Sequence, residues 1–472
     1  MARPRIIASF LALVLLAGTA APSSAADRLT ERLDRLLRGL HDEGAFNGAV
    51  VVTSRGKVVY ARGFGPADAE AGVPFTPDTA SDGGSLAKPV TAAAVLLLAA
   101  EGRIDLDAPV VRYVPEYPHP AATIRQLMSH SGGLPDYGAF QPLLDSGRPV
   151  SNADLLADVA RRGVAPAFPP GSDFAYCNLC YDALALAVER VSGLSYQTFT
   201  RKRLLAPAGM TAGFVRPARF ADWPGRRTRG YRWTPAGLEV FDALDNEGFY
   251  GGGNIYFTTR DLAAWTASWS QGSPLPPRAR ALALTTAQVG TGATGLTLGN
   301  WYCAAGGRRC YYTGHHQGFH NFAYWNAGRG LSIAMMTNNT LTAPLQMSLP
   351  RALIAVAEGR GAGTPQSELA ARARQVAFSA AAGSYRAPGR RDVVIRVEGG
   401  RAKLRIGGGP TYRLFPTGWG RLYAPGLDAS LSFADFREGA YHRVHWDSVF
   451  ETWTAPRVRA ARQPEPPATG AL

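Results

Sequence analysis

Lysine is scarce in this sequence. Of 50 basic residues all but four are arginine, and the exceptions are Lys57, Lys88, Lys202 and Lys403. Arginine keeps its proton under biological conditions, whereas a buried lysine can give its proton up. A lysine kept in so arginine-rich a chain is therefore a candidate for chemistry that arginine cannot perform, although chance accounts for most of the four. Cysteine is sparse too, with four residues in two close pairs, Cys177/Cys180 and Cys303/Cys310. Neither pair stands in a zinc-ribbon context, which argues against a four-cysteine zinc site. Beyond the first twenty residues no stretch is long and apolar enough to cross a bilayer, which excludes a polytopic membrane protein. The formal charge is +14, but the arginines are scattered and form no massed block. That weighs against nucleic-acid binding and leaves an anionic cell surface as a compatible environment.

The chain has 472 residues, 46% of them hydrophobic, enough for two or three domains with large cores. Residues 1–26 read as an export signal: Arg3 and Arg5, an apolar run over 6–17, and the small residues 23–26. An uncleaved anchor is the alternative, and the run is short for one. The expectation is a secreted or periplasmic protein, soluble once the signal is removed. Disulfides are the default in that setting. Cys303 and Cys310 flank a Gly-Gly turn and read as a bridge at the base of a hairpin. Cys177 and Cys180 form either a small disulfide or a redox pair. No thioredoxin-like context surrounds them, which favours a structural role.

Residues 45–62 alternate, are rich in valine, and break at Ser54-Arg55-Gly56, predicting a hairpin. Helices are expected over 85–101, 154–162 with Asn152 as cap, 178–192, 196–205 and 259–270. Residues 321–324 and 331–336 read as paired strands. Strands thus open and close the region while helices fill its middle, so one compact domain requires the first and last strands to share a sheet. The fold class is α/β, a sandwich of an antiparallel sheet with an inserted helical lobe. The division expected is a catalytic unit over 27–360, a linker with a short helix over 361–380 and a frayed tail over 459–472. Between them, residues 381–458 hold short strands at 393–398, 402–406, 412–416, 421–423, 430–433 and 442–446, and these predict a small all-β, barrel-like module.

Three clusters carry candidate chemistry. Gly83-Gly84-Ser85-Leu86-Ala87-Lys88 opens an apolar helix. A helix starting at Ser85 sets Lys88 one turn on and on the same face. An uncharged lysine there accepts the serine proton, and the helix N-terminus suits a developing oxyanion. Ser-x-x-Lys alone also describes any capped helix with a surface lysine; the rarity of lysine tips the reading toward function. Tyr176-Cys177-Asn178 stands at another helix entrance, where a tyrosine beside a cation can shuttle a proton and Asn178 can bond a substrate carbonyl. In isolation the same residues are a packed aromatic and a cap. Tyr312-Thr313-Gly314-His315-His316-Gln317-Gly318-Phe319 resembles a strand edge able to pair with an extended substrate. Its histidines, with His320, lack the His-Glu-x-x-His pattern, and no metal or other cofactor is expected.

The order Ser-x-x-Lys, Tyr-x-Asn, x-Thr-Gly resembles the serine β-lactamase and penicillin-binding-protein-like family. It is most similar to the class C-like branch of D-alanyl-D-alanine carboxypeptidases, D-aminopeptidases and esterases. Residues 101–110, 123–135, 204–210 and 251–262 extend the likeness across roughly 30–357. The trailing β module resembles the small barrel-like domain that many members carry. The resemblance implies an acyl-enzyme on Ser85, with Lys88 as base, Tyr176 as proton relay and Asn178 orienting Lys88 and substrate. It implies an oxyanion hole from the N–H groups of Ser85 and His315, and a substrate edge formed by Tyr312, Thr313 and Gly314. Gln317-Gly318-Phe319 sets the register and puts Tyr312 where lactamases and carboxypeptidases have Lys or His. A neutral residue there forgoes a charge-assisted bond to a substrate carboxylate. That discounts β-lactam and D-Ala-D-Ala substrates, though Arg308, Arg309, His315 or His316 could restore positive charge. Cys177 is also an unusual middle residue for its motif.

The expectation is a hydrolase of esters or small amides, with small molecules or cell-wall peptide as partners and the oligomeric state open. The competing classes are a catalytically silent envelope-binding protein, and a redox or metal protein resting on the cysteines and histidines.

Overall fold

Gly48–Ser54 is a valine-rich strand buried on both faces, so it must lie inside a sheet covered on two sides. The computed structural model describes residues 25–134, 140–225, 227–234, 237–272, 274–290, 292–304, 306–341, 343–362, 378–398, 401–417, 421–424, 427, 429–449 and 451–458. Of the expected segments, the export signal up to residue 24, most of the 361–380 linker and the 459–472 tail lie outside these residues.

The main sheet has eight antiparallel strands. From edge to edge they are Thr286–Val289, Gly292–Thr297, Tyr302–Cys303, Arg309–His316, Phe319–Asn326, Leu331–Thr337, Gly48–Ser54 and Lys57–Phe64. The opening strand Gly48–Ser54 pairs with the closing strand Leu331–Thr337 over seven positions, as a single compact unit requires. The hairpin from Gly48–Ser54 to Lys57–Phe64 turns at Arg55 and Gly56, both at positive φ (49° and 77°). Such turns follow the right-handed twist of the flanking strands.

Helix Thr259–Gln271 lies against the sheet and brings Trp265 and Trp269 to Trp301 and Trp325, with ring centroids 5.7–6.1 Å apart along the cluster. The helical lobe is built around Ala87–Ala100, which packs on Asn178–Ser192 and Pro277–Ala283. Ala87–Ala100 is apolar all round except for Lys88 and Thr91, and nearly all of it is buried, as a helix at the centre of a lobe must be.

Local chemistry explains most of the boundaries and corrects several expectations. The nucleophile segment does not begin as an α-helix at Ser85. Gly84–Leu86 is a 3-10 turn, and the α-helix proper is Ala87–Ala100, with Pro89 near its start where a missing N–H costs little. The helix expected from 154 runs over Asn152–Arg161, and its cap is Ser151, not Asn152. Ser151 and Asp154 form a reciprocal capping box. The Asn152 side chain instead bridges Asp182 O, Tyr250 O and Tyr250 N. Asn178–Ser192 ends at Gly193 with φ 74°, as expected. The expected 196–205 helix is α over Tyr196–Thr200 and π over Arg201–Leu205.

The C-terminal module closes into an eight-stranded antiparallel barrel. The six expected strands are there, and two more complete the ring. Gly383–Tyr385 and Thr452–Val458 pair with each other and with their neighbours, so no strand edge is left open. The barrel meets the rest of the protein through a parallel bridge between Phe174 and Tyr412, and through Arg351, whose guanidinium bonds Asp447 and Ser448 O. Both cysteine pairs are bridged, Cys177–Cys180 and Cys303–Cys310. No described helix is long and apolar enough to cross a membrane.

Candidate functional site

Ser85 sits where the 3-10 turn meets strand Arg309–His316. Gly84 has φ 52°, and a Cβ there would come within 2.9 Å of His315 N. A Cβ on Gly314 would come within 2.1 Å of Gly83 O. Only glycines let these two backbones approach so closely, and the approach brings the backbone of His315 beside that of the serine segment. The ladder joining this strand to Tyr302–Cys303 ends at Tyr311, which leaves residues 312–316 without a strand on that side among the described residues.

Lys88 is fully buried, whereas Lys57 and Lys202 are exposed. Its Nζ lies 3.2 Å from Ser85 Oγ, 2.5 Å from Asn178 Oδ1 and 2.6 Å from Gly252 O. All three partners are neutral oxygens. Asp182 Oδ1 accepts from Gly252 N at 2.8 Å and fixes that carbonyl. Tyr176 OH lies 2.7 Å from Ser85 Oγ on the other side, and the Lys88 ammonium position is 4.7 Å from its ring centre. Residues 176–178 hold their geometry because the Cys177–Cys180 disulfide clamps the first helical turn, with Cys177 as cap.

These groups open onto a cavity of about 230 Å³. Ser85, Tyr176, Asn178, Tyr312, Thr313 and His315 of the expected set line it; Lys88 and Gly314 do not, Lys88 lying behind Ser85 Oγ and Gly314 serving the close approach to Gly83. The rest of the wall sets three aromatic rings, Phe249, Tyr302 and Tyr423 (the last contributed by the barrel), beside Gly84, Gly252, Gly253, Asn254 and His316. Burial raises the phenol of Tyr312 well above its ordinary value, and the neighbouring Tyr176 adds to the effect. Tyr312 is thus an uncharged hydroxyl. Its oxygen is 2.8 Å from Asn300 Nδ2 and 3.3 Å from Tyr176 OH.

The pocket does have a cation. His316, with 28% of its side chain exposed, puts Nδ1 2.7 Å from Asp82 and Nε2 3.6 Å from Glu247. Arg216 pairs with Glu247 at 2.8 Å. Burial alone would lower the pKa of His316, but Glu247 and Asp82 outweigh it and raise it to about 9. Burial pushes the Asp82 carboxyl up, yet His316 and the Gly84 N–H hold it below its ordinary value. Two cations and two carboxylates balance, so the cluster offers little net charge to a ligand. His315, by contrast, is lowered by burial to about 4 and is neutral. Among the described residues no group of His, Cys, Asp and Glu is arranged to hold a metal ion.

The residues that sequence reasoning missed are His130, Asn300, Gly252, Tyr423 and the partners of His316, which are Asp82 and Glu247, with Arg216 behind Glu247. His130 and the 251–254 segment carried a signal only as parts of extended motifs. Asn300 and Tyr423 carried none.

The chain is similar to known proteins in sequence and in fold. A family model described as Beta-lactamase matches residues 33–358. The chain is 25% identical to Penicillin-binding protein 4* of Bacillus subtilis (strain 168) over 422 residues, covering 85% of this chain and 93% of that protein. It is 36% identical to Esterase EstB of Burkholderia gladioli over 218 residues, 42% of this chain and 54% of that protein. A solved structure of an octameric penicillin-binding protein homologue from Pyrococcus abyssi aligns with a TM-score of 0.60 at 22% identity. It covers 90% of this chain and 99% of that one, and shares its fold.

Proposed function

The chain belongs to the β-lactamase family, whose relatives here are serine hydrolases, and from that premise we propose that it hydrolyses esters or small amides through an acyl-enzyme on Ser85. The observation that carries the proposal is the convergence of Lys88 Nζ (3.2 Å) and Tyr176 OH (2.7 Å) on Ser85 Oγ at the wall of a cavity.

In its uncharged form the Lys88 amine has two N–H bonds to give, to Asn178 Oδ1 and Gly252 O, and one lone pair left for the serine proton. Ser85 Oγ gives that proton to Nζ and attacks the carbonyl carbon. The carbonyl electrons move to oxygen, where the N–H groups of Ser85 and His315 receive them. As the tetrahedral centre collapses, the bond to the leaving group breaks. Tyr176 OH protonates the departing oxygen or nitrogen and is reprotonated from Lys88. Water then attacks the acyl carbon, its proton passes to the same pair of residues, and Ser85 Oγ leaves as the restored hydroxyl. Asn178 orients Lys88 throughout.

The wall chemistry supports esters and small amides over carboxylate-bearing substrates. It is aromatic, Tyr312 is neutral, and the His316 charge is compensated by Asp82 and Glu247. Cell-wall peptide belongs to the same amide class. The two disulfides fit an oxidising compartment, in keeping with export by the 1–26 signal to a secreted or periplasmic location. The division into a hydrolase unit over 27–360 and a barrel over 381–458 belongs to the same proposal.

The test is a panel of p-nitrophenyl esters, nitrocefin and D-amino-acid amides, together with fluorophosphonate labelling. Turnover and label are both expected to vanish in Ser85→Ala. Activity near wild type in that variant overturns the assignment.

A further inference from the structure

The hydrogen bonds that reach Ser85 can be followed outward through Tyr176 to a buried imidazole far from it in sequence. His130 is fully buried, and its ring stacks on Tyr176 with centroids 4.6 Å apart and planes at 20°. Its Nδ1 accepts the Cys177 N–H at 3.1 Å, so that nitrogen carries no proton. Burial, with the charge of Lys88 adding to it, lowers the ring's pKa to about 3, and the ring is neutral. Its single proton is therefore on Nε2, which faces Asn300 Oδ1 at 3.2 Å.

That contact decides which way the Asn300 amide points, since its NH2 cannot face an N–H donor. Asn300 Nδ2 is left to donate to Tyr312 OH at 2.8 Å. The proton of Tyr312 then has the oxygen of Tyr176, 3.3 Å away, as its acceptor. Tyr176 in turn donates to Ser85 Oγ, which also accepts from Lys88 Nζ. Each donor is fixed by the one before it. Asn300 is fully buried and holds φ 60°, a left-handed conformation that asparagine tolerates better than most residues.

We propose that Asn300, oriented by His130, is a positioning residue that acts through Tyr312 to fix the direction of this hydrogen-bond chain. The chain keeps the proton of Tyr176 aimed at Ser85 and supplies a donor to the Tyr176 oxygen when that proton leaves. This rests on the hydrolase reading above. It also gives Tyr312 a task that does not involve a substrate carboxylate.

The test is an isosteric reversal. In Asn300→Asp the carboxylate has no donor; it accepts from His130 and from Tyr312, whose proton turns away from Tyr176. Tyr312→Phe removes the same bond from the other end. Asn300→Gly relieves the left-handed backbone and removes the amide, so it serves if the aspartate variant does not fold. Ester hydrolysis is measured per fluorophosphonate-titrated site. Each single substitution is expected to lower kcat about tenfold, the worth of one oriented hydrogen bond. KM should be unchanged in the Asn300 variants, which do not line the pocket. The double variant with Tyr312→Phe should be no slower than the slower single, because both act through one contact. Wild-type kcat in the folded Asn300 variants, or losses that multiply in the double, overturns the inference. Wild-type protein that neither turns over an ester nor labels at Ser85 would instead refute the hydrolase reading itself.

Discussion

His316 offers a perturbation whose size and sign both follow from its surroundings. Its ring meets Asp82 at 2.7 Å and Glu247 at 3.6 Å, while Arg216 holds Glu247 from the far side. The carboxylates overcome the cost of burying the ring and raise its pKa to about 9. Against an unfolded value of about 6.5, that is worth roughly 3 kcal/mol, at about 1.4 kcal/mol per unit. The group is raised in the folded state, so its contribution is complete below about pH 6.5 and is lost as pH rises through about 9. Linkage gives about 2.5 kcal/mol at pH 7 and almost nothing at pH 10.

His316→Gln keeps a donor for Asp82 but removes the charge, leaving two buried carboxylates with Arg216 alone. Urea unfolding followed by fluorescence of the Trp265, Trp269, Trp301 and Trp325 cluster reports on the same unit. The wild-type advantage over the variant should be about 2–3 kcal/mol greater at pH 7 than at pH 10. An advantage of the same size at both pH values would mean that His316 is not charged at neutrality, and the account of the quartet would fail.

Lys88→Arg should lower kcat by roughly 10²–10⁴-fold, the usual worth of a general base, because a fixed cation cannot take the serine proton; steady-state ester hydrolysis with near-normal kcat would move the base role elsewhere. Stability should fall steeply in mild acid. His130 is lowered to about 3, His315 to about 4 and His320 well below its ordinary value, all chiefly by burial, so the unfolded chain takes up protons first as pH drops below about 6.5. Urea unfolding between pH 6.5 and 4.5 should report a loss of about 3–4 kcal/mol per pH unit, and a flat profile would contradict the buried neutral rings. Tyr412→Ala removes the barrel ring that lies 5.3 Å from Phe174, two residues before Tyr176. It should loosen the docked barrel to limited proteolysis and lower kcat several-fold on esters; unchanged kcat would confine the barrel to a scaffolding role.

The parts of the site that sequence made legible are local ones. Ser85 and Lys88 are one turn apart, so their contact follows from spacing, and the rarity of lysine singled out the one lysine that is fully buried. Tyr176 and Asn178 share a helix entrance, and their contacts follow once that entrance is placed beside Ser85. The long-range contacts were illegible. His130 and Asn300 touch across 170 positions, and Asp82 and His316 across 234. No local pattern encodes either meeting; each depends on sheet register and on where a loop crosses it. The same holds for the barrel. Six of its strands show in their spacing between turn residues, whereas Gly383–Tyr385 is three residues long and Thr452–Val458 contains Pro456, which argues against a strand when read alone. Their identity as strands comes from closing the ring.

The tyrosine at position 312 links specificity to catalysis. A cation there would be free to meet a substrate carboxylate. A phenol is not: its oxygen accepts from Asn300 and its proton goes to Tyr176, so both its hydrogen-bonding capacities are used inside the protein. The other cation at the wall, His316, is already matched by Asp82 and Glu247. A carboxylate entering this pocket would lose its hydration and gain no uncompensated charge in return, an unfavourable exchange in an aromatic cavity. An uncharged ester or small amide loses much less on entry and gains contact with Phe249, Tyr302 and Tyr423. The neutral side chain that leaves position 312 without a binding charge therefore also supplies the proposed donor that steadies Tyr176, and placing a cation at position 312 should improve carboxylate binding only by breaking the link between Asn300 and Tyr176.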